Sequence, residues 1–180
     1  VGSETCIRDS PTLVRTITRT ESEPLAPWLD LAGNHDGPAA LAFSDSGRLL
    51  FILVFDATDP GDGLGSDVIL KYNTFDDALT LFARLDYSAN EIAWPHGSMT
   101  HFGGRLHVGT PAGTVLTYRA QRNDATGTLL ATSTVSAGTP VTGLGMDRVA
   151  QLLYAGAGTA LYRAGANGTP LSFASVGSVE

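Results

Sequence analysis

Three stretches of this 180-residue sequence repeat one outline of short apolar runs separated by turn residues. The first contains GPAALAFSDSGRLLFILVF and DVILKYNTFDDALTLFARLD, the second RLHVGTPAGTVLTYRA, and the third LLYAGAGTALYRAGANGTPLSF. Their tyrosines, Tyr72, Tyr118 and Tyr162, recur at steps of 46 and 44 residues. Runs rich in Val, Leu, Ile, Phe and Tyr, bounded by Gly, Asp, Asn and Ser, are typical of antiparallel strands joined by hairpins. The repeat therefore predicts a series of similar β-sheets.

Each repeat contains four such runs, and none of them shows helical periodicity. Glycines mark the turns, because glycine adopts positive φ without steric cost. In the second repeat the turns are expected at 103–104 and 111–113. The predicted strands of that repeat are Met99–Phe102, Leu106–Thr110, Val115–Arg119 and Leu129–Val135.

A four-stranded unit of this length cannot bury both of its faces alone, so it must stack on its copies. Radial stacking predicts an all-β propeller built of four-stranded antiparallel blades. The alternative is a meandering sandwich or barrel. The predicted organisation is an N-terminal arm at 1–11, a half blade at 12–36 that supplies the third and fourth strands of a preceding blade, and blades at 37–88, 89–137 and 138–180.

This organisation gives about three and a half blades, fewer than the four or more of ordinary propellers. An open fan exposes strand edges and apolar faces that favour aggregation. We therefore expect a second polypeptide, further propeller sequence or further copies of this chain to complete the ring.

The repeats also resemble known propeller families. The stretch RLHVGTPAGTVLTYRA resembles quinoprotein-like blades, GPAALAFSDSGRLLFIL followed by VILKY resembles NHL and SMP-30-like blades, and LLYAGAGTALYRAGANGTPLSF is similar to sialidase-like blades. These resemblances imply blade architecture but no single activity, because propellers include enzymes, binders and scaffolds. Likeness to SMP-30-like lactonases implies a divalent metal held in the channel by acidic and amide side chains from several blades.

Two groups of residues are candidates for a site. Imidazole, carboxylate and indole groups precede the predicted innermost strands, where they could bind a ligand at the channel mouth: His35, Asp36, Trp94 and His96. A glycine-rich loop carries four carboxylates that could supply the oxygen ligands preferred by calcium: Asp56, Asp59, Asp62 and Asp67. The alternatives are a solvated turn for the aspartates and hydrogen bonds between blades for the histidines.

The amino-acid composition limits the classes of molecule that the protein is expected to bind. Eighteen acidic and 11 basic residues give a net charge of -7, which disfavours nucleic acid and anionic membranes. No apolar run approaches the roughly 20 residues of a membrane-spanning helix. The nucleophile-elbow, phosphate-loop and zinc motifs are absent from the sequence. We expect an extracellular or periplasmic binding or scaffolding propeller; the alternative is a calcium-dependent lactonase/hydrolase-like or quinoprotein-like enzyme of which this chain is a part.

Overall fold

The computed structural model describes residues 25, 37–55, 67–85 and 98–178. These residues form twelve β-strands and no helix, which confirms the predicted all-β class. Accordingly, nothing in the described ranges is a helix long and apolar enough to cross a membrane. The strands are β1 (Gly37–Phe43), β2 (Leu49–Phe55), β3 (Val68–Asn73), β4 (Ala78–Arg84), β5 (Ser98–Phe102), β6 (Arg105–Gly109), β7 (Thr114–Arg119), β8 (Thr128–Thr134), β9 (Val141–Asp147), β10 (Leu152–Ala157), β11 (Ala160–Gly165) and β12 (Ala174–Ser178).

The strands form three separate sheets in which consecutive strands pair antiparallel. Sheet 1 contains β1 to β4, sheet 2 contains β5 to β8, and sheet 3 contains β9 to β12. Three such sheets fit propeller blades, as predicted, and the two-layer sandwich and single barrel are wrong. In sheet 2 every strand boundary lies within one residue of its predicted place.

The first strands of the sheets lie side by side in chain order, because β1 contacts β5 and β5 contacts β9. Sheet 2 therefore has sheet 1 on one side and sheet 3 on the other. We call the side of a sheet that points toward the earlier sheet its preceding face, and the opposite side its following face.

The sheets also share two edges. The turns 44–48, 103–104 and 148–151, which follow the first strands, meet at one edge through contacts of Asp45 with Gly103 and Arg148. We call this edge the turn rim. The opposite edge, where every first strand begins, is the loop rim.

Apolar side chains fill the spaces between neighbouring sheets. The core between sheets 1 and 2 includes Phe51, Phe82, Leu106 and Tyr118. The core between sheets 2 and 3 is built of smaller residues, including Val115, Leu153, Ala155 and Ala164. A third cluster, Ile52, Val54, Val68 and Leu70, is buried on the preceding face of sheet 1, where Leu25 packs against it.

The repeated tyrosines lie on the third strand of each sheet. The register places all three on the preceding face, opposite Leu50, Leu106 and Ala155. Tyr162 lies two residues from the position that matches Tyr72 and Tyr118, because Ala164 pairs with Leu153 at that position in sheet 3. A β-bulge between the third and fourth strands recurs in every sheet and increases the local twist.

The predicted arm at 1–11 and most of the half blade at 12–36 lie outside the described residues, apart from Leu25. The described sheets fall inside the predicted blades 37–88, 89–137 and 138–180. The exact blade boundaries stay predictions.

Candidate functional site

The sequence predicts a ligand site at the channel mouth and a metal site in a glycine-rich loop, and most of the residues of both sites lie outside the described part of the chain. These residues are His35, Asp36, Asp56, Asp59, Asp62, Trp94 and His96. The described strand ends that flank them all lie at the loop rim: Gly37, Phe55, Asp67, Leu85 and Ser98. The predicted binding and calcium sites therefore stay predictions.

Asp67 is the predicted metal ligand that the structure describes. It lies just before β3, half-buried, and its backbone carbonyl accepts a hydrogen bond from the Leu85 N–H at 2.8 Å. Within 25, 37–55, 67–85 and 98–178 no three His, Cys, Asp or Glu side chains come together as a metal site.

At the turn rim, a charged cluster that the sequence did not suggest ties the three sheets together. The Asp45 carboxylate accepts a hydrogen bond from the Gly103 N–H at 2.8 Å and another from the Arg148 guanidinium. Arg148 also donates to the His101 carbonyl at 3.2 Å. Each sheet contributes one turn to this cluster, which we call the turn-rim tether.

The tether changes the acidity of Asp45. Partial burial of the carboxyl would raise its pKa, but the Arg148 hydrogen bond, the Gly103 N–H and the nearby His101 outweigh that effect, so the pKa lies below its ordinary value. Asp45 is therefore ionised near neutral pH and keeps the charge that Arg148 requires.

His101 lies beneath the tether, buried against the Phe51 ring at a centroid distance of 5.7 Å. Its Nε2 donates to the Ala120 carbonyl at 3.1 Å, since a carbonyl can only accept. Its Nδ1 lies 3.5 Å from Asp45 Oδ2, which is too far for a good hydrogen bond. This histidine packs on sheet 1 through the Phe51 ring, and its 4% exposure leaves no open face for a ligand.

His107 is fully buried between sheets 2 and 3. Its Nδ1 forms a hydrogen bond of 3.1 Å with the Thr117 hydroxyl, while its Nε2 has no partner among the described residues. Burial, followed by repulsion from Arg105 and His101, lowers its pKa from 6.5 to about 4. His107 is therefore neutral at physiological pH, as a buried imidazole without an anion must be.

Lys71, the one lysine of the sequence, bridges sheets 1 and 2. Its stem is buried on the following face of sheet 1, and its ammonium donates to the Asp124 carbonyl in the connection between β7 and β8. Burial lowers its pKa, although Asp124 and Asp76 oppose that shift. The Gly127 N–H also donates to the Phe82 carbonyl at 2.6 Å, so this connection lies directly against sheet 1.

The sequence interpretation missed the tether for a local reason. Asp45 stands in a Ser-Asp-Ser-Gly turn, where aspartate serves ordinary turn geometry, and its partner Arg148 is 103 positions away. The signal that was available is the repeat itself, since all three turns occupy the same place in their units.

No protein-family profile matches the chain, and no curated protein matches it. Among solved structures it is similar to the Niastella koreensis GH74 enzyme, with 19% identity and a TM-score of 0.55, over 78% of this chain and 22% of that one. It is also similar to Saccharomyces cerevisiae Sqt1, with 14% identity and a TM-score of 0.53, over 80% of this chain and 35% of that one.

The architecture is that of β-propeller blades. The chain spans about a fifth to a third of the length of these solved chains, and at such low identity the likeness shows the fold alone. Neither the NHL nor the SMP-30-like resemblance is shown by these comparisons.

Proposed function

We propose that this chain is a binding or scaffolding segment of an extracytoplasmic β-propeller that recognises its partner at the loop rim. The observation that carries the proposal is the contrast between the two rims. The turn rim is joined by the tether around Asp45, whereas the stretches 56–66 and 86–97 connect strands whose described ends lie at the loop rim, and the stretch 26–36 precedes Gly37 at the same rim.

Functional residues concentrate on loops that a rigid scaffold presents, because loops vary without disturbing the core. The stretches 26–36 and 86–97 carry the predicted ligand-binding residues His35, Asp36, Trp94 and His96. They also carry several carboxylates, so the partner surface that fits them is cationic, or is bridged by calcium.

The proposal is tested with a pair of variants that remove one negative charge from opposite rims. Asp59→Asn changes a stretch that joins loop-rim strand ends, and Asp76→Asn changes an exposed residue in the turn between β3 and β4, at the turn rim. Each variant, expressed in the source cells, is cross-linked and the recovery of bound proteins is quantified. We expect Asp59→Asn to lower recovery of the partner about tenfold and Asp76→Asn to leave it unchanged.

Equal recovery from both variants would contradict recognition at the loop rim. A calcium titration separates the alternative function. If the chain belongs to a metal-dependent enzyme, calcium at a hundredfold excess over its dissociation constant stabilises the fold by about 2.7 kcal/mol, and Asp59→Asn removes that effect. Fractionation of the source cells tests the extracytoplasmic location.

A further inference from the structure

The three first strands carry a repeated pattern of side-chain size. At two matching positions on the preceding face, each strand has large residues: Leu41 and Phe43 on β1, Met99 and His101 on β5, and Leu144 and Met146 on β9. At two matching positions on the following face, each has small residues: Ala40 and Ala42, Ser98 and Thr100, and Gly143 and Gly145.

Two of the large pairs are covered by the sheet before them. Met99 and His101 are 7% and 4% exposed, and Met99 shares a core with Ala42 of β1. Met146 packs into the core between sheets 2 and 3, next to the β5 strand that carries the second small pair. Thus a small pair on one first strand makes room for the large pair on the next.

The large pair of β1 is uncovered. Leu41 is 59% exposed and Phe43 is 55% exposed, although both occupy the positions at which β5 and β9 are covered. On the same face of sheet 1, but on the second and third strands, Ile52 and Leu70 are buried. The exposed apolar surface is therefore confined to the place where a neighbouring first strand belongs.

We propose that Leu41 and Phe43 form a docking surface for a single first strand whose sequence lies outside residues 1–180. That strand begins at the loop rim, as β1, β5 and β9 do, and presents small uncharged side chains at two alternate positions. The inference deepens the proposed propeller role and rests on it, because it continues the contacts of β1 with β5 and of β5 with β9.

A second copy of this chain offers a similar strand, since Gly143 and Gly145 have open space where a Cβ would lie. That occupant fits less well. Docking all of sheet 3 on sheet 1 would displace Leu25, which packs against the buried cluster that contains Ile52 and Leu70. A single strand that covers β1 alone leaves the packing of Leu25 intact.

The test places the photo-cross-linker p-benzoylphenylalanine at position 43 of the protein expressed in its source cells. The matched control carries it at position 75, since Phe75 is also an exposed apolar residue, 76% accessible, in the turn between β3 and β4. We expect position 43 to give one dominant cross-linked peptide, at least tenfold above position 75. That peptide comes from outside residues 1–180 and has small residues at alternate positions.

Two results would overturn the inference. A cross-link to residues 141–147 of a second copy would make the surface a self-association site, and equal labelling at positions 43 and 75 would place both in water. Phe43→Asp provides a second measurement: it should lower the melting temperature of the native protein by several degrees more than Phe75→Asp does. Loop-rim recognition is measured with other variants, so either proposal can fail without the other.

Discussion

The interface between sheets 1 and 2 and the interface between sheets 2 and 3 differ at one matching position on the second strand of each blade. Phe51 on β2 and His107 on β6 lie at matching places, and each points to the following sheet. Phe51 is fully buried against the Phe82 ring at a centroid distance of 5.0 Å. His107 is equally buried, but the core between sheets 2 and 3 is built of smaller residues, Ala155 and Ala164 among them.

The difference shows that blade packing depends on the fit between faces rather than on one kind of contact. Large rings fill the space between sheets 1 and 2. Between sheets 2 and 3, small residues permit close approach, and polar groups bridge the gap: the Leu171 N–H donates to the Ser133 hydroxyl at 2.9 Å. We therefore expect the first interface to be most sensitive to lost volume, and the second to added volume and to pH.

The largest expected effect is the loss of Phe51. Phe51→Ala removes a ring with no exposed surface and leaves a cavity beside Phe82, so the free energy of unfolding should fall by about 3–5 kcal/mol. Urea denaturation measures the change. Phe75→Ala, on an exposed turn, should stay within about 0.5 kcal/mol of the wild type. Similar losses in both variants would mean that the ring cluster does not hold sheets 1 and 2 together.

The second effect is a loss of stability in acid that comes from His107. Its pKa is 6.5 in the unfolded chain and about 4 when folded, so the unfolded state binds the extra proton between these values. The contribution of neutral His107 to the free energy of unfolding should be fully present above pH 6.5. It should fall as the pH drops toward 4 and stay constant below that. One pKa unit corresponds to about 1.4 kcal/mol, so the total loss is about 3 kcal/mol.

His107→Phe gives sheet 2 the phenylalanine that sheet 1 has at the matching position, Phe51. The substitution removes the titrating imidazole and so isolates its effect on stability. The variant cannot titrate, so its unfolding free energy should change less between pH 6.5 and 4 than that of the wild type. At neutral pH the substitution removes the buried Nε2 that has no partner but leaves the buried Thr117 hydroxyl unpaired, so a cost of about 1–3 kcal/mol that does not depend on pH is expected. An unchanged pH slope would assign the acid loss to other groups.

The third prediction concerns added volume between sheets 2 and 3. A Cβ at Gly109 would lie 2.5 Å from Ser98 Oγ and 2.7 Å from Val141 Cγ1, closer than real contacts allow. Gly109→Ala should therefore cost about 1–3 kcal/mol by overpacking. In Gly143→Ala, where a Cβ meets nothing within 4 Å, we expect no loss. Equal effects would show that the close approach is not restrictive.

The sequence predicted the sheets well because their determinants are local. Gly103, Gly104 and Gly113 adopt positive φ in turns, and each fixes the ends of the strands beside it. Alternation of apolar residues then determines which side of a strand is buried. Strand boundaries in sheet 2 were accurate to one residue for this reason.

The tether and the buried His107 could not be predicted in the same way. Asp45 and Arg148 meet because two distant turns occupy equivalent places, and neither turn contains a local sign of the other. His107 alternates with Leu106 and Val108, so the pattern indicates a core strand but gives no protonation state. The match of His107 with Phe51 becomes visible when the register is known.

The smallest expected effect is that of the tether, and it decides whether the cores or the rim hold the sheets together. The side chains of Asp45 and Arg148 are 38% and 51% exposed, so water and salt weaken their attraction. A double-mutant cycle of Asp45→Asn and Arg148→Gln should give a coupling of about 0.5 kcal/mol that shrinks in high salt. Because the pKa of Asp45 is lowered, this contribution is present above its ordinary value of 3.8 and lost as the pH falls through the folded value. A coupling of about 2 kcal/mol or more, insensitive to salt, would make the turn rim a main support of the fan, and the contrast between the two apolar interfaces would then explain less of its stability.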